Sequence, residues 1–168
     1  MKFASKIALA AAIVAFAFST SVAHAGGKKK SIAGLAVGTK SLSTLVVAVK
    51  KAGLVKVLAK KGPFTVFAPT NDAFKKIPAE KLKAILKNKK LLTKILTYHV
   101  VPGTVTAKQV VKLSEATTVQ GEKISIEVKD GKVVLNGNST VVATDIEARN
   151  GVVHVIDTVI LPPSLTKD

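Results

Sequence analysis

Few residues in this sequence could do chemistry. Cys is absent. Once an N-terminal leader (described below) is set aside, two histidines are left, His99 and His154. Nucleophilic catalysis needs a Ser or Thr beside a His that a carboxylate orients. Thr97 stands two residues before His99, and the spacing brings no Ser to either ring. Asp157 follows His154 by three positions, which on a strand puts them on opposite faces. Zinc takes clusters of His and Cys, and two His 55 positions apart are a poor start. Calcium takes several oxygen ligands, whereas Asp130, Asn136, Asn138 and Asp145 are scattered among turn signals that account for them. Gly34-Leu35-Ala36-Val37-Gly38 lacks the rest of a phosphate loop. These residues predict no enzyme, no cofactor and no metal, and point to binding.

Charge says what could be bound. The chain carries 26 Lys+Arg against 10 Asp+Glu, a net +16, and Arg149 is its only Arg. Between Lys50 and Lys94 there are 13 Lys against Asp72 and Glu80, +11 in 45 residues. Such a field favours anionic partners. The candidate polyanion-binding set is Lys50, Lys51, Lys60, Lys61, Lys75, Lys76, Lys81, Lys83, Lys87, Lys89, Lys90 and Lys94; the competing reading is a solvated surface. Nucleic acid is disfavoured. Beyond the leader the aromatic residues are Phe64, Phe67, Phe74 and Tyr98, which fall at core positions and leave little for base stacking.

The elements that must carry these residues begin after the leader. Met1–Lys6 is a short positive start, Ile7–Phe18 a twelve-residue apolar run, and Ser19–Ala25 a small-residue stretch ending Ala-His-Ala. That layout predicts a signal peptide cleaved after Ala25, hence a periplasmic or extracellular protein. Twelve apolar residues fall short of the roughly 20 a spanning helix needs. The expected organisation is signal peptide 1–25, flexible basic leader 26–30, one domain 31–163 and a tail 164–168. With no disulfide available, that domain must be held by burial.

Helical spacing dominates the first half. Ser31 caps a short helix, Ser41 or Ser43 the next, with Gly53 beyond its end. Leu82, Ile85 and Leu86, then Leu91, Leu92, Ile95 and Leu96, form apolar stripes opposite lysines. Phe64–Ala68 is a buried strand, and Thr70 or Asn71 caps the turn after it. Tyr98–Val101 reads as strand. The second half changes period: Ile124, Ile126 and Val128 alternate with polar residues, and Asp130-Gly131 marks a hairpin. Asn136-Gly137 and Asn150-Gly151 mark two more turns, with strands at Val141–Ala143, Val152–Ile156 and Val159–Leu161. Helices followed by strands predict an α+β fold. The lone early strand Phe64–Ala68 must then pair with late ones.

Three segments carry a resemblance. They are Gly62-Pro63-Phe64-Thr65-Val66-Phe67-Ala68-Pro69-Thr70-Asn71-Asp72-Ala73-Phe74, then Tyr98-His99-Val100-Val101-Pro102-Gly103, then Asn150-Gly151-Val152-Val153-His154-Val155-Ile156-Asp157-Thr158-Val159-Ile160-Leu161-Pro162. In this order and spacing they resemble the fasciclin-type domain over about Ser31 to Pro163. The resemblance implies a wedge-shaped α+β domain: a twisted β-sandwich of about seven strands with helices around it. It implies a secreted adhesion module whose partners are cell-surface or matrix proteins or anionic polysaccharide. The alternative it implies is a carrier of a small apolar ligand such as a carotenoid or lipid. Thr65, Phe67, Pro69, Thr70, Asn71, Phe74, Gly151, His154, Ile156 and Asp157 match the family signature and read as structural. Tyr98, His99, Asp145 and Ile146 match positions linked to adhesion in the family. Their plain reading is that Tyr98 anchors the core, His99 ties a turn, and Asp145 bonds backbone beside a buried Ile146.

Overall fold

The computed structural model describes residues 28–166; the predicted signal peptide lies outside the described residues. Helices α1 (Ile32–Gly38), α2 (Ser43–Ala52) and α3 (Val55–Ala59) lead into β1 (Phe64–Pro69). Then come α4 (Asn71–Lys75), α5 (Ala79–Lys87) and α6 (Lys89–Tyr98), β2 (Val100–Pro102) and α7 (Ala107–Val110). Strands β3 (Glu115–Thr117), β4 (Lys123–Lys129), β5 (Lys132–Leu135), β6 (Ser139–Ala148) and β7 (Gly151–Ile156) follow. The α+β class with seven strands is as the resemblance implied.

One sheet runs in the order β2-β1-β7-β6-β5-β4-β3. It curls until its ends approach, and the Val119 amide donates to the Val100 carbonyl at 2.7 Å. The early strand pairs late, as expected: β1 lies parallel to β7, from Phe64 opposite Gly151 to Pro69 opposite Ile156. This pairing splits the core into two layers. Val66, Ala68, Val153 and Val155 face the helices. Phe67 and Ile156 face inward, with Tyr98, Ile124, Ile126 and Leu135. β1 is buried on both faces, as a central strand must be.

Local signals explain most boundaries. The Ser31 side chain accepts from the Gly34 amide, and Gly53 ends α2 at φ 75°. Asp130 and Gly131 adopt φ 50° and 72°, the conformation a two-residue hairpin needs between Lys129 and Lys132. α2 receives its cap from elsewhere. Neither Ser41 nor Ser43 caps it; Asn71 Oδ1 accepts from the Thr44 amide at 2.9 Å, while Thr70 caps α4.

Three expectations are corrected. Tyr98 closes α6 rather than opening a strand, because Leu91, Ile95 and Tyr98 share a helical face and the ring fills the inner core. Val159–Leu161 forms no strand: the Ile160 amide donates to His99 Nε2 instead of a ladder partner. β6 runs on to Ala148 through register shifts between Val141 and Ala143 and between Ala143 and Ile146. The sequence reading also missed β3, whose middle residue Ala116 alone is buried.

The C-terminal segment is tied back by Glu122, whose carboxylate accepts from the Ser164 hydroxyl and amide. Those bonds, aided by Gln120 and the Lys94 charge, hold Glu122 down to about 2.

Candidate functional site: a divided lysine surface

The residues matched to adhesion lie in two different settings. Tyr98 is fully buried, and its hydroxyl donates to the Lys123 carbonyl at 2.8 Å and accepts from Asn136 Nδ2 at 2.9 Å. His99 is buried at the C-terminus of α6. Its Nε2 accepts from the Ile160 amide at 3.3 Å, so the proton sits on Nδ1, which donates to the Ile95 carbonyl at 2.8 Å. Asp145 and Ile146 sit instead on the surface of β6. Asp145, at φ 55°, accepts from the Ala107 amide at 2.9 Å, and its own amide donates to His154 Nδ1 at 3.3 Å. The buried His154 ring donates from Nε2 to the Val105 carbonyl at 2.7 Å and stacks on Phe67. His154 and Asp145 together fasten the segment before α7 to the bulge of β6. Ile146 is 37% exposed, not buried as expected, because the register shift turns it toward the open rim of the helical layer.

His99 gives the domain a pH-dependent term. Burial pushes its pKa down from the usual 6.5 to about 4, against the opposing pull of the Ile95 carbonyl. The folded state thus resists a proton that the unfolded chain accepts. Stability from this group is complete above pH 6.5 and is lost as pH falls through 4, a change of about 3 kcal/mol. Urea unfolding from pH 7.5 to 4 should show a falling midpoint, with the His99 ring remaining neutral by NMR until near pH 4. A His99 ring that titrates near 6.5 in the folded protein would contradict this.

The twelve candidate lysines divide. Lys75 and Lys76 pair with Asp72 and Asp157, Lys83 with Glu80 and Lys94 with Glu122. For the other eight, no carboxylate of the described residues comes within 4.0 Å. Six of these, Lys50, Lys51, Lys81, Lys87, Lys89 and Lys90, are exposed on α2, α5 and α6. These helices pack in series, with Lys89 Nζ reaching the end of α2 at Gly53. Lys60 and Lys61 lie elsewhere, on the wall of a cleft of about 770 Å³ at the starts of β1 and β7. Arg149 shares that cleft. It was not among the candidates, although its being the only Arg of a Lys-rich chain was a usable signal.

A second recess lies beneath α1–α3, lined by Ile32, Leu35, Leu45, Val49, Phe64 and Val66 among others, with space of about 100 Å³. Sites for drug-sized ligands run to about 300–1,000 Å³. No carotenoid-sized occupant fits it. Among the described residues, no three of His, Asp and Glu converge as metal ligands, and no single helix is long and apolar enough to cross a membrane.

Helices packed on one face of a nearly closed seven-stranded sheet, a parallel β1–β7 pair and a buried Tyr-His pair define a fasciclin-type domain. A model of the fasciclin domain matches residues 40–162, and the chain belongs to that family. It is 54% identical over 135 residues to Protein sll1483 of Synechocystis, covering 79% of this chain and 74% of that one. It is 36% identical over 144 residues to immunogenic protein MPB70 of Mycobacterium bovis, covering 83% and 72%. It is 39% identical over 127 residues to the transforming growth factor-beta-induced protein ig-h3 of Sus scrofa, covering 76% of this chain but 18% of that one. Among solved structures it superposes on a FAS1 domain pair of the insect cell adhesion molecule fasciclin I, with TM-score 0.67 and 22% identity. That match covers 83% of this chain and about half, 53%, of the other.

Proposed function

We propose that this protein is an exported, non-enzymatic adhesion module that attaches to cell-surface or matrix material, with anionic polysaccharide the partner its charge fits best. The observation that carries this reading is the set of six exposed lysines on α2, α5 and α6 with no carboxylate of the described residues beside them. A solvated surface needs no such concentration on three adjoining helices. Likeness to a cell adhesion molecule supports the binding role. The shape of the site favours a polymer, because charges spread along α2, α5 and α6 suit a repeating anion better than one small ligand.

Affinity for an immobilised acidic polysaccharide should weaken by at least about tenfold between 50 and 500 mM salt, since exposed charges are screened over that range. Replacing Lys81, Lys87, Lys89 and Lys90 together by Glu should weaken it by at least about tenfold without changing the melting temperature. Affinity that stays flat with salt, or is unchanged by the fourfold replacement, sinks the reading. The apolar-carrier alternative would need a recess larger than the one beneath α1–α3.

A further inference from the structure

Resting on the reading above, we infer that the cleft at the starts of β1 and β7 is a specific site for one oxyanion-bearing sugar of an acidic polysaccharide, with Arg149 as its recognition residue. The helical lysines supply long-range attraction, and this cleft supplies the choice of ligand. Its volume of about 770 Å³ lies within the range of small-ligand sites. Lys60 and Lys61 line it from the loop before β1, and Arg149 from the turn before β7. None of the three has a carboxylate of the described residues within 4.0 Å. The one acidic residue on the wall, Glu147, already pairs with Lys29. A guanidinium presents two parallel N–H donors to a carboxylate or sulfate, which an ammonium cannot do.

The walls are held in fixed relation. Asn150 is buried beside Arg149 and donates to the Leu58 and Lys60 carbonyls at 2.7 and 2.8 Å. Gly62 and Gly151 meet backbone so closely that no side chain could grow from either. The loop bearing the lysines and the turn bearing Arg149 are therefore locked together before any ligand arrives, which lowers the cost of binding. Thr104 lines the same cleft and offers a hydroxyl to a sugar, while the Thr106 hydroxyl is engaged with Gln109 in the capping box of α7. Among the described residues no aromatic ring lines it, so a nucleotide base would find no stacking surface there.

The test uses the mature full-length protein, ¹⁵N-labelled, titrated with an oligogalacturonate tetramer and separately with a sulfated tetrasaccharide. Whichever arm binds identifies the source of the oxyanion. Saturable shifts should concentrate at Lys60, Lys61, Arg149 and Thr104. Arg149→Ala and Arg149→Lys should each weaken the tetramer by about tenfold or more, as loss of a charge-assisted bidentate pair requires. Arg149 is exposed with no side-chain bond among the described residues, so both variants should keep the parent melting temperature. Equal affinity for Arg149→Lys and the parent, or shifts confined to α5 and α6, overturns the cleft while leaving adhesion through the helices standing. Failure of the immobilised polymer and of both tetramers overturns both.

Discussion

Gly151→Ala is expected to be severely destabilising. A Cβ at this position would stand 1.8 Å from the Phe64 carbonyl oxygen and 2.7 and 2.8 Å from the Phe64 carbonyl carbon and amide nitrogen. All three are backbone atoms of the strand that pairs with β7, so no side chain can swing aside. Relief requires β1 and β7 to part by more than 1 Å, about the shortfall from an ordinary contact. That movement breaks the parallel β1–β7 pairing and opens both core layers at once. The cost should exceed about 4 kcal/mol, a large part of the 5–15 kcal/mol that holds a domain together. Gly131→Ala is the matched control. Nothing lies within 4 Å of its Cβ, and only its φ of 72° opposes the change, at about 1–2 kcal/mol. Far-UV circular dichroism and urea unfolding decide the comparison. A folded Gly151→Ala protein melting within a few degrees of the parent would mean that the strands are not in the register described.

Asn150→Ala should be the most costly polar substitution. The side chain makes three hydrogen bonds: it accepts from the Ile32 amide at 2.9 Å and donates to the Leu58 and Lys60 carbonyls. The partners lie 118, 92 and 90 positions away, so one amide joins the start of α1 and the end of α3 to the turn before β7. Ile32 and Leu58 are buried and water does not replace the lost partner. Each stranded buried group costs about 1–3 kcal/mol, which makes about 2–6 kcal/mol for the two. Asn150→Asp separates the contributions. It keeps the acceptor for Ile32 but sets a carboxylate against two carbonyl oxygens, so it should be no better than Ala. Exchange of the Ile32 amide should rise most in Asn150→Ala, which removes its acceptor. A destabilisation below about 1 kcal/mol would mean that α1 is held by apolar packing alone.

Neither effect could be read from the sequence with its cause. Asn150-Gly151 reads as a turn, and a turn it is, but turn chemistry explains only the local bend. What makes each residue irreplaceable is a partner roughly 90 or more positions away, near Phe64 or Ile32. Asn71 teaches the same lesson. It looks like the cap of the helix it begins, yet its oxygen caps α2, 27 residues upstream. His154 reads as a buried ring on strand spacing; that it braces Asp145 and Val105 follows from the bulges of β6.

The sequence by itself determined the class and the local grammar. Caps, glycine stops and the Asp130-Gly131 hairpin are short-range effects written in neighbouring residues. The three signature segments carried the family. Even the pairing of β1 with a late strand was legible, because an apolar strand with no local partner must find a distant one. Tertiary structure decided the strand order, the extension of α6 through Tyr98, and the unpaired course of Val159–Leu161. It also split the lysines between a helical face and a cleft shared with Arg149. The physical reason is range: backbone torsions and side-chain alternation act over a few residues, whereas burial and hydrogen bonding join whatever the closed core brings into contact.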